Sequence, residues 1–229
     1  MSRGAQFHEG IASTWTQGYH NGSFLRRLQL FRGLIHGSVQ AGSDWMDLGC
    51  GSGVLTQVIL ERQPGRIIAI DGSRSMLEQA KATLGNGLSE TRIDWHLADV
   101  CNLPFIDSGC LDGVLCSSVI EYLEDPGESI KEMRRALRQG GRLLLSVPIS
   151  TSFVRRAQQA IRTIGRLAAK DFYPYLEVSR FDIPIGSAGA LLKPYGFQVL
   201  EQHRFDPVLP VAFQGVLDPA LLVIVAAAC

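Results

Sequence analysis

The stretch Trp45–Gly53, WMDLGCGSG, decides how this chain is read. A short apolar run breaks into glycines at alternating positions, Gly49, Gly51 and Gly53. Such a break turns a strand into a loop whose bare backbone can lie close to a nucleotide. The dinucleotide fingerprint G-x-G-x-x-G fails in both registers, because its third glycine falls on Val54 or on Thr56. The P-loop pattern fails as well, since no Gly-Lys-Ser/Thr follows. A carboxylate, Asp47, stands just before the loop. It would repel a pyrophosphate and suits a phosphate-free ligand with positive charge. S-adenosylmethionine (SAM), with a sulfonium and an α-ammonium, has that chemistry.

Working outward, the next apolar run, RIIAID, ends on Asp71, placed to accept both hydroxyls of a ribose. Dinucleotide enzymes use the same device, so Asp71 announces a ribose without choosing the cofactor. Further apolar runs at 92–97, 110–118 and 141–147 join those at 45–50 and 66–71, with helical spacing between them. This alternation predicts a parallel sheet with helices on both faces. Phe24, Leu28 and Phe31, with Leu25 and Leu34, predict a helix over about 11–38. A second helix is expected near 127–138, capped by Asp125, with Pro126 in its first turn and Gly140 ending it. The runs FQVLEQHRF at 197–205 and LLVIVAAA at 221–228 read as strands. Their joint carries Pro207, Pro210, Gly215 and Pro219 and no helical stripe, so they should pair antiparallel. The expected fold class is α/β: a Rossmann-like, seven-stranded sheet, mostly parallel, its last strand reversed. It forms a single domain over 1–229, with an N-terminal helical cap at 1–40 and a helical lid inserted at 151–195.

These residues resemble the class I SAM-dependent methyltransferases, nearest to the enzymes of ubiquinone and menaquinone biosynthesis. The likeness runs from about residue 40 to 148, through DLGCGSG, AIDGSRSML, HLADVCNLPF, FIDSGCLDGVLCSSVIEYLED and LRQGGRLLLSVP. It implies that Gly49, Cys50, Gly51 and Gly53 bring backbone to the methionyl and ribose parts of SAM, and that Asp47 faces the ammonium. It implies that Asp71 and Gly72 hold the ribose and Met76 covers one adenine face. Asp99 would take the exocyclic amine and the Val100 N–H a ring nitrogen. Cys116 and Ser117, with Ser118, would leave the fourth strand beside the sulfonium. Tyr19 and Arg27 are further cofactor contacts from the N-terminal helix, although Arg27 equally suits a snorkelling surface arginine. The product is S-adenosylhomocysteine. Relatives often carry a histidine where this chain has Tyr122, so a general base at that position is in doubt. Tyr122, His203 and Tyr173 are the catalytic candidates, and no spacing singles one of them out.

The bulk numbers exclude more than they assign. The chain has 229 residues, a formal net charge of zero, 46% hydrophobic and 19% charged residues. A nucleic-acid role usually brings a basic surplus. Enzymes that methylate nucleobase amines usually carry Asn/Asp-Pro-Pro-aromatic where this chain has CSSVIEY, so a nucleic-acid partner is not expected. Five cysteines, with no C-x-x-C pair, indicate a reducing cytoplasm, no disulfide framework and no metal site. The N-terminal residues MSRGAQFHEG have no apolar signal core.

The acceptor is a small molecule, expected to be apolar or aromatic, with the receiving atom O, C or N. The clue is the insertion. Its first part, TSFVRRAQQAIRTIGRLAAK, has five basic and no acidic residues. Phe153, Val154, Ala157, Ile161, Ile164, Leu167 and Ala168 form its apolar face. The favoured reading packs that face on the sheet and leaves the arginines outside. The alternative lays 153–170 on an anionic membrane or a protein partner. DFYPYLEVSRF follows, with Phe172, Tyr173, Tyr175 and Phe181 as lid aromatics and Arg180 as an anchor. Two other functional readings remain: a non-catalytic SAM-binding partner subunit and, against the glycine spacing, a nicotinamide oxidoreductase. Oligomeric state is not encoded legibly.

Overall fold

Each apolar run becomes a strand of one sheet in the computed structural model, which describes residues 3–15, 22–84, 92–167, 170, 172–209 and 216–229. The strands are β1 (Asp44–Leu48), β2 (Arg66–Asp71), β3 (Ile93–Leu97), β4 (Leu111–Cys116), β5 (Leu137–Pro148), β6 (Phe197–Phe205) and β7 (Leu221–Ala228). Their order is β3-β2-β1-β4-β5-β7-β6. Strands β1 to β5 pair in parallel, and β7 runs antiparallel to both β5 and β6. The seven strands and the reversed last one are as the sequence predicts. The central strands β1, β2, β4 and β7 are buried almost throughout, whereas β3 and β6 alternate because they are edges.

The helices are α1 (Arg3–Trp15), α2 (Gly22–Ser38), α3 (Val54–Leu60), α4 (Arg74–Leu84), α5 (Pro126–Ala136), α6 (Phe153–Leu167), α7 (Tyr175–Val178) and α8 (Ala188–Leu192). Alternate residues of each central strand feed two cores. Met46, Leu48, Ile68, Ile70 and Val114 pack with Ile130 and Met133 of α5 and Leu192 of α8. Trp45, Ile67, Ala69 and Leu115 pack on the other face with Phe31 and Ile35 of α2 and Ile59 of α3.

Several boundaries differ from the sequence reading. The helix expected over 11–38 is two helices, and residues 16–21, including Tyr19, lie outside the described residues. Asp125 does cap α5, accepting the Gly127 N–H at 2.8 Å, with Pro126 in the first turn. The helix nevertheless stops at Ala136, because Leu137 already pairs with Leu111 of β4. Gly140, read as a helix stop, lies within β5 at φ 75°. The register of β4 and β5 shifts between Leu111 and Gly113, where a bulge takes up the extra residues.

The largest correction is the orientation of α6. Val154 is buried, but Phe153 and Ile164 are 60% and 67% exposed and Ile161 is also exposed. Arg155, in contrast, is only 6% exposed. Helical spacing explains this, since Arg155, Gln158 and Arg162 share the inward face (the last two half-buried), and the long apolar stripe faces out. The Leu167 side chain and Ala168 lie outside the described residues. Among the described residues, no helix is long and apolar enough to cross a membrane.

Gly113 faces Trp45 across the β1–β4 ladder, and a Cβ there would lie 2.3 Å from the indole. Gly113→Ala should therefore destabilise the fold by about 1–3 kcal/mol through overpacking. The midpoint of urea denaturation should fall with an unchanged slope.

Candidate active site

The chain order reverses beside β1: β2 and β3 add on one side, β4 and β5 on the other. A crevice opens at the carboxyl ends of strands at such a switch point, which is where ligands bind in open α/β sheets. Gly49, Gly51 and Gly53 all have positive φ, at 76°, 53° and 80°. Glycine adopts these angles without the steric penalty of a side chain. The N–H groups of Gly49 and Cys50 donate to the Ile70 carbonyl at 2.7 and 2.9 Å. The Gly51 N–H donates to Asp71 Oδ2 and the Ser73 N–H to Asp71 Oδ1, both at 2.8 Å. One carboxylate thus ties the loop after β1 to the loop after β2 and leads into α4.

A cavity of about 370 Å³ lies over these loops. Asp47, Gly49, Cys50, Gly51, Asp71, Gly72, Met76, Asp99, Val100, Ser117 and Arg27 all line it, as the resemblance implies. Two predicted cofactor contacts among the described residues, Gly53 and Cys116, do not. Gly53 starts α3 in the left-handed region, and a Cβ there would lie 3.0 Å from Ala80 Cβ, so it is a turn and packing glycine. Cys116 points into the hydrophobic core of the sheet, because β4 ends one residue before the cavity wall. Among the catalytic candidates, His203 sits on the edge strand β6, 2.9 Å from Glu201, and lines neither major cavity.

Asp47 is 2% exposed and accepts the Thr56 hydroxyl at 2.6 Å. Burial pushes its carboxyl up to about 7; the Thr56 bond opposes this and the charge of Asp71 adds to it. Burial also raises Asp71, against the N–H bonds from Ser73 and Gly51. Both carboxylates are hydrogen-bonded but, among the described residues, neither has a salt-bridge partner, and a bound cation would relieve that cost. Met76 is buried, and Asp99 Oδ1 accepts the Cys101 N–H at 3.0 Å. Acid residues, bare backbone and an apolar wall fit a cationic nucleoside without phosphate, so the site fits SAM.

Arg27 is not a surface arginine. It donates to Ser117 Oγ at 2.6 Å and Ser118 Oγ at 2.7 Å, both just beyond β4. The roof of the cavity comes from α1, which the sequence reading missed. Gly4, Ala5 and His8 line it, and Glu9 accepts from Ser73 Oγ at 2.5 Å and Ser75 Oγ at 2.6 Å. The ring of His8 packs edge-on to Tyr122 at 4.8 Å, and burial lowers its basicity. No spacing in the first ten residues reveals this, because α1 docks on loops far away in the chain.

A second cavity, of about 480 Å³, adjoins the first, and Arg27, Ser118 and Tyr122 line both. Phe7, Phe24, Tyr173, Tyr175, Phe205 and Leu221 give it an apolar wall. Tyr175 donates to Gln158 of α6 at 2.8 Å, and Tyr173 holds φ 55°. Three polar residues in this wall escaped the sequence reading: Glu121, 4% exposed, Arg155 and Gln158. Arg180, the expected anchor, is exposed and meets the site only through its backbone N–H, which donates to the Glu121 carbonyl at 2.7 Å. Burial raises the Tyr122 hydroxyl far above its ordinary range, with Glu121 adding, so it keeps its proton. A tyrosine that keeps its proton can donate a hydrogen bond.

Comparison with known proteins agrees with this geometry. Residues 46–145 match the Methyltransf_11 family, a methyltransferase domain. The biotin biosynthesis bifunctional protein BioHC of Teredinibacter turnerae is 33% identical over 73% of this chain and 29% of its own length. The 2-phytyl-1,4-naphtoquinone methyltransferase of Nostoc punctiforme is 29% identical over 72% of this chain and 76% of its own. A SAM-dependent methyltransferase of Thermotoga maritima shares the fold, with a TM-score of 0.69 at 18% identity over 99% of this chain and 100% of that one. The chain spans 29–43% of the length of the first curated relatives it matches. Residues 46–145 carry that methyltransferase domain, the fold is that of the SAM-dependent methyltransferases, and SAM is the cofactor the first cavity fits.

The Asp47 carboxyl makes a signed prediction. Its folded pKa lies above the unfolded value of 3.8, so its contribution to stability is full below that value. The contribution is lost as pH rises through about 7 and is on the order of 4 kcal/mol. Asp47→Asn should melt above the parent chain at pH above 7, with the gap closing in acid, while binding SAM at least about tenfold more weakly. Thermal melts across pH and calorimetry check both halves.

Proposed function

We propose that this chain transfers the methyl group of SAM to a small apolar or aromatic molecule seated in the second cavity. The observation that carries the proposal is the junction at Arg27, Ser118 and Tyr122, where an acid-lined, glycine-floored cavity opens into an apolar one. When bound, SAM supplies an activated methyl on a sulfonium. Asp71 accepts the ribose hydroxyls with the lone pairs that Gly51 and Ser73 leave open. Met76 covers the adenine, Asp99 takes its amine, and the Val100 N–H meets the ring. Asp47 and the Gly49–Gly51 backbone meet the methionyl end.

On the acceptor side the chain has little chemistry to supply beyond alignment and exclusion of water. Tyr122 donates its hydroxyl hydrogen to the acceptor, and α1 with Phe7 and Phe24 keeps the junction dry. The insertion at 151–195 is the lid in this reading, with Tyr173 and Tyr175, which line the second cavity, as its inner surface. Relatives named for ubiquinone and naphtoquinone methylation support an apolar acceptor.

The outward stripe of α6 supports a second element of the proposal: contact with an anionic membrane surface beside the acceptor cavity. Phe153, Ile161 and Ile164 would enter the interface, with exposed Arg156 and Lys170 beside them.

Calorimetry should show SAM binding and no NADH binding, and Asp71→Ala should weaken SAM by about tenfold or more. Transfer of labelled methyl to any member of a phenol, quinol and carboxylic-acid panel distinguishes an enzyme from a SAM-binding partner subunit. Sedimentation with anionic vesicles should retain the chain, and an Ile161→Asp, Ile164→Asp double variant should stay in the supernatant. Equal retention of both would remove the membrane contact.

A further inference from the structure

We infer that the second cavity is built for a carboxylic acid with an apolar body, its carboxylate held between Arg27 and Arg155. The inference rests on the reading of that cavity as the acceptor site. Its wall is largely hydrocarbon, yet it contains two guanidinium groups and a carboxyl. Arg27 donates to two neutral hydroxyls, and its Nε has no acceptor among the described residues. Arg155 donates to Ser179 Oγ at 3.3 Å, and its nearest carboxylate, Asp182, stands 3.7 Å away, beyond a hydrogen bond. Its Nε also lacks an acceptor among the described residues. Glu121 lies close enough for both guanidinium charges to act on it, and its Oε2 is buried without a donor among the described residues.

A charge buried without a hydrogen-bonded counter-ion is costly, and removing the cost is worth affinity to whatever anion fits. The planar fork of arginine matches a carboxylate in two parallel bonds. Burial raises the Glu121 carboxyl, opposed by its own backbone N–H, Arg27, Ser118 and Arg155. In its protonated form Glu121 donates an O–H to a bound carboxylate, a pairing that a dianion would strain against Glu121 and Asp182. Arg27 touches both cavities, so the carboxylate lies at the inner end, next to the methyl donor. The apolar body then runs past Tyr175 toward the exposed rim at Tyr173 and Val208.

The test is calorimetric titration of the full chain at neutral pH with S-adenosylhomocysteine present. The probes are cinnamate, 4-phenylbutyrate and decanoate, each against its own primary amide. At least one acid should bind about tenfold or more tightly than its amide. Arg27→Gln and Arg155→Gln should each bring that ratio to about one, and Arg155→Lys should keep part of it. Three results overturn the inference: equal affinity for every acid and its amide, no acid bound at millimolar concentration, or a preference that survives both glutamine substitutions. If Arg155→Gln does not fold, Arg155→Lys and Arg27→Gln carry the comparison. Failure of S-adenosylhomocysteine to bind the parent chain would refute the donor-site reading. Its binding without any acid preference would refute only the carboxylate.

Discussion

The carboxylate of Asp71 holds the site together before any ligand arrives. One oxygen accepts the Gly51 N–H and the other the Ser73 N–H, so the tip of β2 fastens the glycine loop of β1 to the start of α4. A loop with three left-handed glycines has a large conformational entropy to lose, and an ionised acceptor is a strong tie for it. The Ser73 hydroxyl extends the tie, since it donates to Glu9 of α1 and accepts the Met76 N–H at 3.1 Å. The floor, the apolar wall and the roof of the first cavity therefore hang on one short polar chain.

Two opposite electrostatic arrangements meet across a narrow junction. Carboxylates dominate the first cavity, and Asp47 and Asp71 are both raised by burial there. Arginines stand in an apolar wall in the second. Arg27 and its two serine partners form the partition between them. Each cavity thus favours a ligand of the opposite sign. A cation on one side and an anion on the other would also attract each other across the junction, in a region where low dielectric strengthens the attraction.

Local features made much of this legible. Asp47, Gly49, Gly51, Asp71 and Asp99 sit at or just past the carboxyl ends of strands, with Met76 in the first turn of the helix that follows β2, and a strand's end is marked by where its apolar run stops. Gly53 and Cys116 stand outside the lining of the first cavity for a related reason. A run shows that a residue is near the end of a strand but not which way its backbone turns, and one residue decides between core and cavity. His203 lines neither cavity, since period-two alternation on an edge strand does not say which face meets a cleft. The amphipathic pattern of α6 was read correctly and its direction wrongly. Arg155 faces inward toward Ser179 and Asp182 and Arg162 reaches Glu177, all outside the helix, and nothing within its fifteen residues reports those partners.

By itself the sequence determined the α/β class, the seven strands, the reversed β7 and the kind of cofactor. Those follow from periodicity, from a joint without a helix and from the charge beside a glycine loop, all short-range properties. Only the tertiary structure decided that α1 roofs the first cavity, that Arg27 lines both cavities, and that Glu121 and Arg155 line the second. These depend on contacts between segments far apart in the chain. No local pattern encodes them, because burial of a charged group is set by what packs over it.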